Sequence, residues 1–329
     1  MTAMKSFFTS CAMAALLGGA AALLPADSLA ASCCGGGSGA SLTVPKYATA
    51  VADISFDTEL YDGYWNQEGI HIADPPGSDL KQYRLNMGLG YRFARDWQTS
   101  VSVPYVWNDN SYSGVSSRTE GLGDTTLSLT YELLDDNSSW KIYEAKDLIP
   151  AVSIGMSLLL PTGISPYDEQ KSSFDITGRG FYRLDGTLLV EKTIRPWNVS
   201  LALAYGTYFD RSVNREYGKY VEPYTKGLGD RFSASAAVGY TFVIGTGGDS
   251  ITTTASYAYL NEGDASYKGT SYSGSGFDKQ SLGAAAAYSS SDHNWGLRLG
   301  WNHAVQQNGW GHNFPTTDTI SVGVRYVFL

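Results

Sequence analysis

Between Lys81 and Trp107 the chain reads KQYRLNMGLGYRF, then ARD, then WQTSVSVPYVW. Tyr83, Leu85, Met87, Leu89, Tyr91 and Phe93 alternate with Gln82, Arg84, Asn86, Gly88, Gly90 and Arg92. That two-residue period gathers six apolar side chains on one face of a strand, which no helix does. After Ala94, Arg95 and Asp96 the alternation resumes as Trp97, Thr99, Val101, Val103 and Tyr105 against Gln98, Ser100, Ser102 and Pro104, the pattern of a tight hairpin. Strands of about ten residues or more, aliphatic in the middle and aromatic at the ends, fit the apolar band and aromatic girdles of a transmembrane barrel better than a soluble sandwich.

Residues 1–30 carry Lys5, an apolar run from Phe7 to Leu24 and small residues up to Ala30, which reads as a secretory signal peptide. Pro25 and Asp27 end the apolar run too early for a spanning anchor. Residues 31–48 read as a flexible periplasmic arm rich in Cys, Gly and Ser, and residues 49–329 as one barrel, because no break in composition divides them. No later apolar run is long enough for a spanning helix, whereas the weak alternating signal suits strands.

The same alternation recurs along the chain. A first strand sets Ala52, Ile54, Phe56, Thr58 and Leu60 against Asp53, Ser55, Asp57 and Glu59, and the closing strand sets Ile320, Val322, Val324, Tyr326 and Phe328 against Thr319, Ser321, Gly323 and Arg325. Between them the count is about twelve strands, an all-β, antiparallel, up-and-down transmembrane β-barrel. Long polar connections at 61–79, 108–120, 161–175, 209–226, 261–276 and 305–316 alternate with short ones, so both chain ends fall on the short-turn, periplasmic side of a bacterial outer membrane. One short-side link, 135–148, is longer than the rest and has room for a helical turn. Trp97, Trp197 and Trp295 each open a strand just after a short turn, and Tyr91, Phe93, Phe242, Tyr288 and Phe328 end strands on the same side, as an aromatic belt at one interface requires. The terminal Tyr326-Val327-Phe328-Leu329 resembles the insertion signal read by the barrel-assembly machinery, shifted by one residue.

Strand parity places Asp53, Asp57, Glu59, Asp124, Glu132 and Asp185 on the inner face with Arg84, Arg92, Arg179, Arg183, Arg231, Arg298 and Arg325. Charges there need partners or water. Cross-lumen ion pairs that stiffen the wall are one reading, and a transverse field that orients a polar solute is the other. The first and last strands must meet for closure, so Arg325 is expected to reach Asp53 or Asp57, with Arg84 and Arg92 approaching from the second strand. Any surplus carboxylate would bias the lumen toward cations.

Gly-Leu-Gly-Asp occurs twice, at Gly121–Asp124 and Gly227–Asp230, each just before a strand that descends from a long loop. Two glycine-relaxed strand entries, each with an Asp bonding to a neighbour, explain it structurally. With the barrel pattern around it, this element resembles the outer-membrane channel family associated with the meta-pathway of phenol degradation. The resemblance implies uptake of small, often aromatic molecules.

The net charge of −9, with no Lys/Arg cluster, argues against nucleic acid. A barrel hydrolase needs a His beside a Ser nucleophile, and the neighbourhoods of His71, His293, His303 and His312 show no such pairing, so no enzyme and no cofactor are expected. His71 and His312 with an Asp could form a loop metal site. Cys33 and Cys34 are the cysteines left after cleavage; they could hold a soft metal, exchange with a thiol partner in the periplasm, or anchor a lipid through a poor lipobox. The expected function is passive or facilitated uptake of small solutes, possible aromatic or weakly polar ones included, through a narrow lumen. The competing reading is a non-conducting barrel in the outer-membrane lipid that displays loops outside and the cysteine arm inside.

Overall fold

The computed structural model describes residues 42–112, 114–136, 138–170 and 173–329. The expected signal peptide, Cys33 and Cys34 lie outside the described residues. Twelve long strands form the wall: β1 (Ala50–Trp65), β2 (Asp79–Ala94), β3 (Trp97–Tyr112), β4 (Thr125–Leu134), β5 (Ala151–Leu160), β6 (Arg183–Ile194), β7 (Trp197–Tyr208), β8 (Arg231–Ile244), β9 (Asp249–Glu262), β10 (Phe277–Ser289), β11 (Trp295–Ala304) and β12 (Phe314–Phe328). Each pairs antiparallel with its neighbours in sequence, and β12 closes on β1 with Asp53 opposite Arg325 and Val51 opposite Val327. Closure leaves no unpaired edge, which a sheet in lipid requires.

Burial is inverted relative to a soluble protein. Along β1 the outward Ile54 and Phe56 are exposed, whereas the inward Ser55, Asp57 and Glu59 are each 1% exposed. The same holds for outward Met87 and Leu89 against inward Arg84 and Asn86, and for outward Ile320, Val322 and Val324 against inward Thr319 and Ser321. A polar core inside an apolar exterior is the partition of an outer-membrane barrel. At the short-turn end the aromatic residues touch in a belt: Trp97 on Tyr131 at 4.9 Å, Trp197 on Tyr240 at 4.8 Å, Trp295 on Tyr326 at 4.7 Å and Tyr326 on Phe328 at 4.8 Å.

Several expected loops are strand instead. The wall of β3 continues to Tyr112 and is met there by Val115–Leu122, which pairs with its upper half while β4 pairs with the lower half. The 209–226 loop folds as a hairpin of Arg211–Glu216 and Lys219–Gly227, turning at Tyr217 and Gly218, both with positive φ. Above the lipid band both faces of a strand are wet, so backbone pairing persists after the alternation has faded. The 135–148 link carries one 3₁₀ turn, Ala145–Leu148, whose preceding N–H groups at Tyr143 and Glu144 both donate to the Asp147 carboxylate.

Residues 42–48, expected as the end of a flexible arm, lie against the inner wall at the short-turn end. Val44 N donates to Gln98 Oε1 at 2.6 Å and Arg92 donates to the Val44 carbonyl. Gly88 and Gly90 make this approach possible: a Cβ on either would sit 2.5 Å from Leu42 atoms. Val44 packs with Ala48, Val51 and Val327 in a small apolar cluster.

Candidate functional site: the lumen

The wall around the β12–β1 seam forms an ion-pair network that follows from register. Asp53 faces Arg325 directly across strands, and Arg325 Nε donates to Asp53 Oδ2 at 3.4 Å. Arg298 comes from β11, one strand further. It faces Gly323 of β12, and because that residue has no side chain the guanidinium crosses over it to donate twice to Asp53, at 2.6 and 2.7 Å. A Cβ on Gly323 would stand 2.8 Å from the Arg298 guanidinium. On the other flank Arg84 donates to Glu59 at 3.3 Å and to Gln82, Gln82 donates to Asn108 at 2.7 Å, and Asn86 donates to Asp57 at 2.8 Å.

Arg92 does not join this seam. It meets Glu132 at 2.5 Å near the periplasmic mouth, where Gln98 donates to the same carboxylate at 3.0 Å and Lys46 lies 3.3 Å from it. Register explains this: Tyr91 already faces Ala50, the first residue of β1, so Arg92 lies below the seam carboxylates and opposite Gln98 of β3.

The facing wall, β6 to β9, begins five strands from β1 and ends three strands from β12. Arg183 donates to Asp185 at 2.8 Å and to the Tyr208 hydroxyl at 3.1 Å, and Tyr208 donates onward to Glu262 at 2.9 Å. Arg179 pairs with Glu262 from the loop above β6. Gly206 has the same role here as Gly323 at the seam, since a Cβ on it would overlap the Asp185 carboxylate. Arg231, at the foot of this loop side of β8, is 3% exposed, and neither of its terminal nitrogens has a hydrogen-bond partner.

The two Gly-Leu-Gly-Asp copies diverge. Asp124 is buried and accepts from the backbone of Gly163 at 3.1 Å and of Arg179 at 2.7 Å, clasping two ends of the 161–182 loop. Asp230 is exposed, accepts from the Tyr205 hydroxyl at 2.5 Å, and uses its carbonyl to hold Gly263. Both are bonds to neighbouring segments, so the repeat marks strand entry rather than a doubled ligand site.

Between the charged layers lies a cavity of about 130 Å³ lined by hydroxyls, among them Ser100, Ser102, Thr126, Ser128, Ser157 and Thr187, and bounded on one side by Leu42 and Thr43. A larger cavity of about 510 Å³ opens at the extracellular end between Tyr61, Tyr64, Trp65, Tyr112, Phe174 and Phe314. Parity could have supplied Glu262, which shares the inner face of β9, but the polar sequence after Leu260 reads as loop. Tyr208, Gln82, Asn86 and Gln98 are also inward by parity; being uncharged, they carry no signal that separates them from spacers. The histidines are dispersed: His312 bonds Asp278 at 2.6 Å, His303 bonds Asp318 at 3.0 Å, and His71 lies 3.3 Å from Thr316. Among the described residues no group of three His, Cys, Asp or Glu is placed to hold a metal.

Comparison with known proteins locates this architecture. The family described as "Putative MetA-pathway of phenol degradation" matches residues 93–322. An outer membrane channel from Pseudomonas putida F1 superposes with a TM-score of 0.64 at 14% identity, covering 88% of this chain and 97% of that one. The β domain of the Bordetella autotransporter BrkA gives 0.48 at 13% identity over 85% and 100% of the two chains, and a Pseudomonas aeruginosa FadL homologue gives 0.39 at 9% identity over 85% and 91%. No curated protein sequence matches significantly.

Proposed function

The chain belongs to the family described as putative MetA-pathway of phenol degradation, and from that premise and the shape of its lumen we propose that it is a porin-like channel for small solutes across the outer membrane. The observation that carries this reading is the hydroxyl-lined cavity inside the wall, set between two charged layers. A scaffold barrel can fill its polar interior with paired charges alone, whereas a solute path needs open space lined by groups that replace a solute's hydration without holding it tightly. The aromatic cavity at the extracellular end suits capture of flat or weakly polar molecules before they enter.

A second reading, a non-conducting barrel that presents its loops, is favoured by one feature. Residues 42–46 fill one side of the lumen at the periplasmic end, and the cavity beside them is small. Planar-bilayer recording separates the two. The channel reading expects discrete conductance steps, larger in a variant lacking residues 31–46. A purified barrel that inserts yet never conducts in either form, and whose vesicles exclude small sugars and aromatic acids alike, would leave the scaffold reading standing.

A further inference from the structure

Among the described residues, two of the three inward arginines at the loop end of the facing wall have a carboxylate and the third, Arg231, does not bond one. Arg183 takes Asp185, and Arg179 takes Glu262, which also accepts from Tyr208. The Asp124 carboxyl is occupied by two backbone N–H groups. Arg231 stands between Gly206 on β7 and Glu262 on β9 in register, yet Nη1 and Nη2 both lack a partner although the residue is 3% exposed. A guanidinium stays charged at any pH a protein survives, so it does not escape by losing its proton. Glu262, opposite it on β9, is bonded to Arg179 and Tyr208 instead. A charge withheld from water with no hydrogen bond at its terminal nitrogens is unfavourable, so an added anion relieves it.

The surroundings define which anion. Two residues along the inner face of β8 from Arg231 is Ser233, and two along β6 from Asp185 is Thr187; both line the polar cavity, as does Ser157, which bonds Asp185. The inner wall beside them is uncharged, with Leu189, Ala202 and Ala204 next to the hydroxyls. An inorganic anion would use only the fork of the guanidinium. A small organic acid uses both features, its carboxylate bridging the two terminal nitrogens and its neutral body entering the cavity.

We propose that Arg231 is the anion-recognition residue of the lumen, taking the carboxylate of a small organic monoacid whose uncharged body rests in the Ser/Thr-lined cavity beside it. This deepens the channel reading and rests on it for its role in transport, but the binding itself is measurable without conduction. The surrounding arginines are fixed in their own pairs, so they contribute positive potential and Arg231 contributes the free donors.

The test is titration calorimetry on the detergent-solubilised barrel with benzoate and with its neutral isostere benzamide at matched ionic strength, for the wild type, Arg231→Gln and Arg231→Lys. Benzoate is expected to bind the wild type at least tenfold more tightly than benzamide. Arg231→Gln should erase that preference, and Arg231→Lys, with one charge but no fork, should retain part of it. Heat-modifiable mobility shows whether each variant is folded. Should Arg231→Gln fail to fold, the wild-type contrast still decides: equal affinity for the two compounds, or no benzoate binding, overturns the assignment. A folded Arg231→Gln that keeps the preference overturns it as well. Absence of conductance in bilayers would sink the channel reading and leave this one untouched, and benzoate indifference in a conducting barrel would do the reverse.

Discussion

The two walls of the lumen use the same residue types to different ends. At the seam Asp53 carries two guanidinia and Arg84 sits on Glu59, so the cations are consumed; the groups left without partners are carboxylate oxygens, Asp57 Oδ1 and Glu59 Oε1, along with Arg84 Nε. Around Arg231 on the facing wall the carboxylates Asp185 and Glu262 are consumed, and among the described residues the unpartnered groups there include both terminal nitrogens of Arg231, with Asn198 Oδ1 nearer the short turns. The seam has to fix the register in which the last strand meets the first, and an ion pair that spans three strands does this better than apolar packing, because a slip of two residues would part Asp53 from both arginines. The facing wall joins strands that are neighbours in sequence, β6 to β7 and β8 to β9 by short turns and β7 to β8 through the 211–227 hairpin. Its surplus of donors is therefore free for another purpose.

The largest expected effect tests that difference directly. Arg298→Met removes a bidentate partner from a buried carboxylate and should lower barrel stability by about 3 kcal/mol, within the usual 3–5 kcal/mol for breaking a buried pair. Arg231→Met removes a charge that has no partner, and should leave stability unchanged or raise it. Urea unfolding in detergent, followed by tryptophan fluorescence, measures both. If the two substitutions cost the same, the walls are equivalent and the contrast is false.

A smaller effect sharpens the geometry of the seam. Gly323→Leu keeps every charge but fills the path that Arg298 takes to Asp53. The guanidinium has to swing away, and the expected loss is about 1–3 kcal/mol, the range for overpacking at a close contact. Combined with Arg298→Met, the glycine substitution should add little, since the residue it displaces is gone. Simple additivity of the two losses would show that Gly323 serves the strand and not the ion pair.

The barrel was legible because lipid imposes a period of two on every strand that crosses it, as at Ile54 and Phe56 or Met87 and Leu89. The belt at Trp97, Trp197 and Trp295 gave the same answer from position alone. Parity also put Asp53, Asp57, Glu59, Arg84, Arg183, Asp185, Arg231, Arg298 and Arg325 on one face. It could not say which of them meet, because pairing depends on register and on inward glycines such as Gly206 and Gly323 that let a side chain pass over a strand. Arg92 shows the limit: its face is set by alternation, but its partner, Glu132, is set by the register of β2 on β3 and of β3 on β4. Above the membrane, the Arg211–Gly227 hairpin was hidden since Val213, Tyr220 and Tyr224 are spaced among charges with no apolar face to keep.

That hairpin caps the facing wall and gives the smallest of the expected effects. It rises from β7, returns to β8, and is tied down by Arg211, which donates to the Gly180 carbonyl at 2.6 Å and lies over the Tyr167 ring at 4.8 Å. Within it Glu216 accepts from Tyr224 at 2.6 Å and from Lys226 at 2.8 Å. Partial burial works against the Glu216 carboxylate, but these two hydrogen bonds and the Lys226 charge outweigh it and hold its pKa below the ordinary 4.5. A carboxyl depressed in the folded state contributes its full stabilisation above its ordinary value and loses it as pH falls through the depressed one. The hairpin should therefore loosen below about pH 4.5, by roughly 1 kcal/mol or less because the pair is partly solvated. Seam amides paired by β1 and β12 supply the internal control. Hydrogen exchange in detergent between pH 6 and pH 3.5, corrected for intrinsic rates, should show protection falling in 211–227 while it holds in β1, and Glu216→Gln should remove most of that pH dependence at once. A cap whose protection is flat with pH, or falls equally in Glu216→Gln, would mean that its order comes from its other ties, among them Arg211 on Gly180 and Tyr167 and the pairing of Lys226 with Tyr267, and not from Glu216.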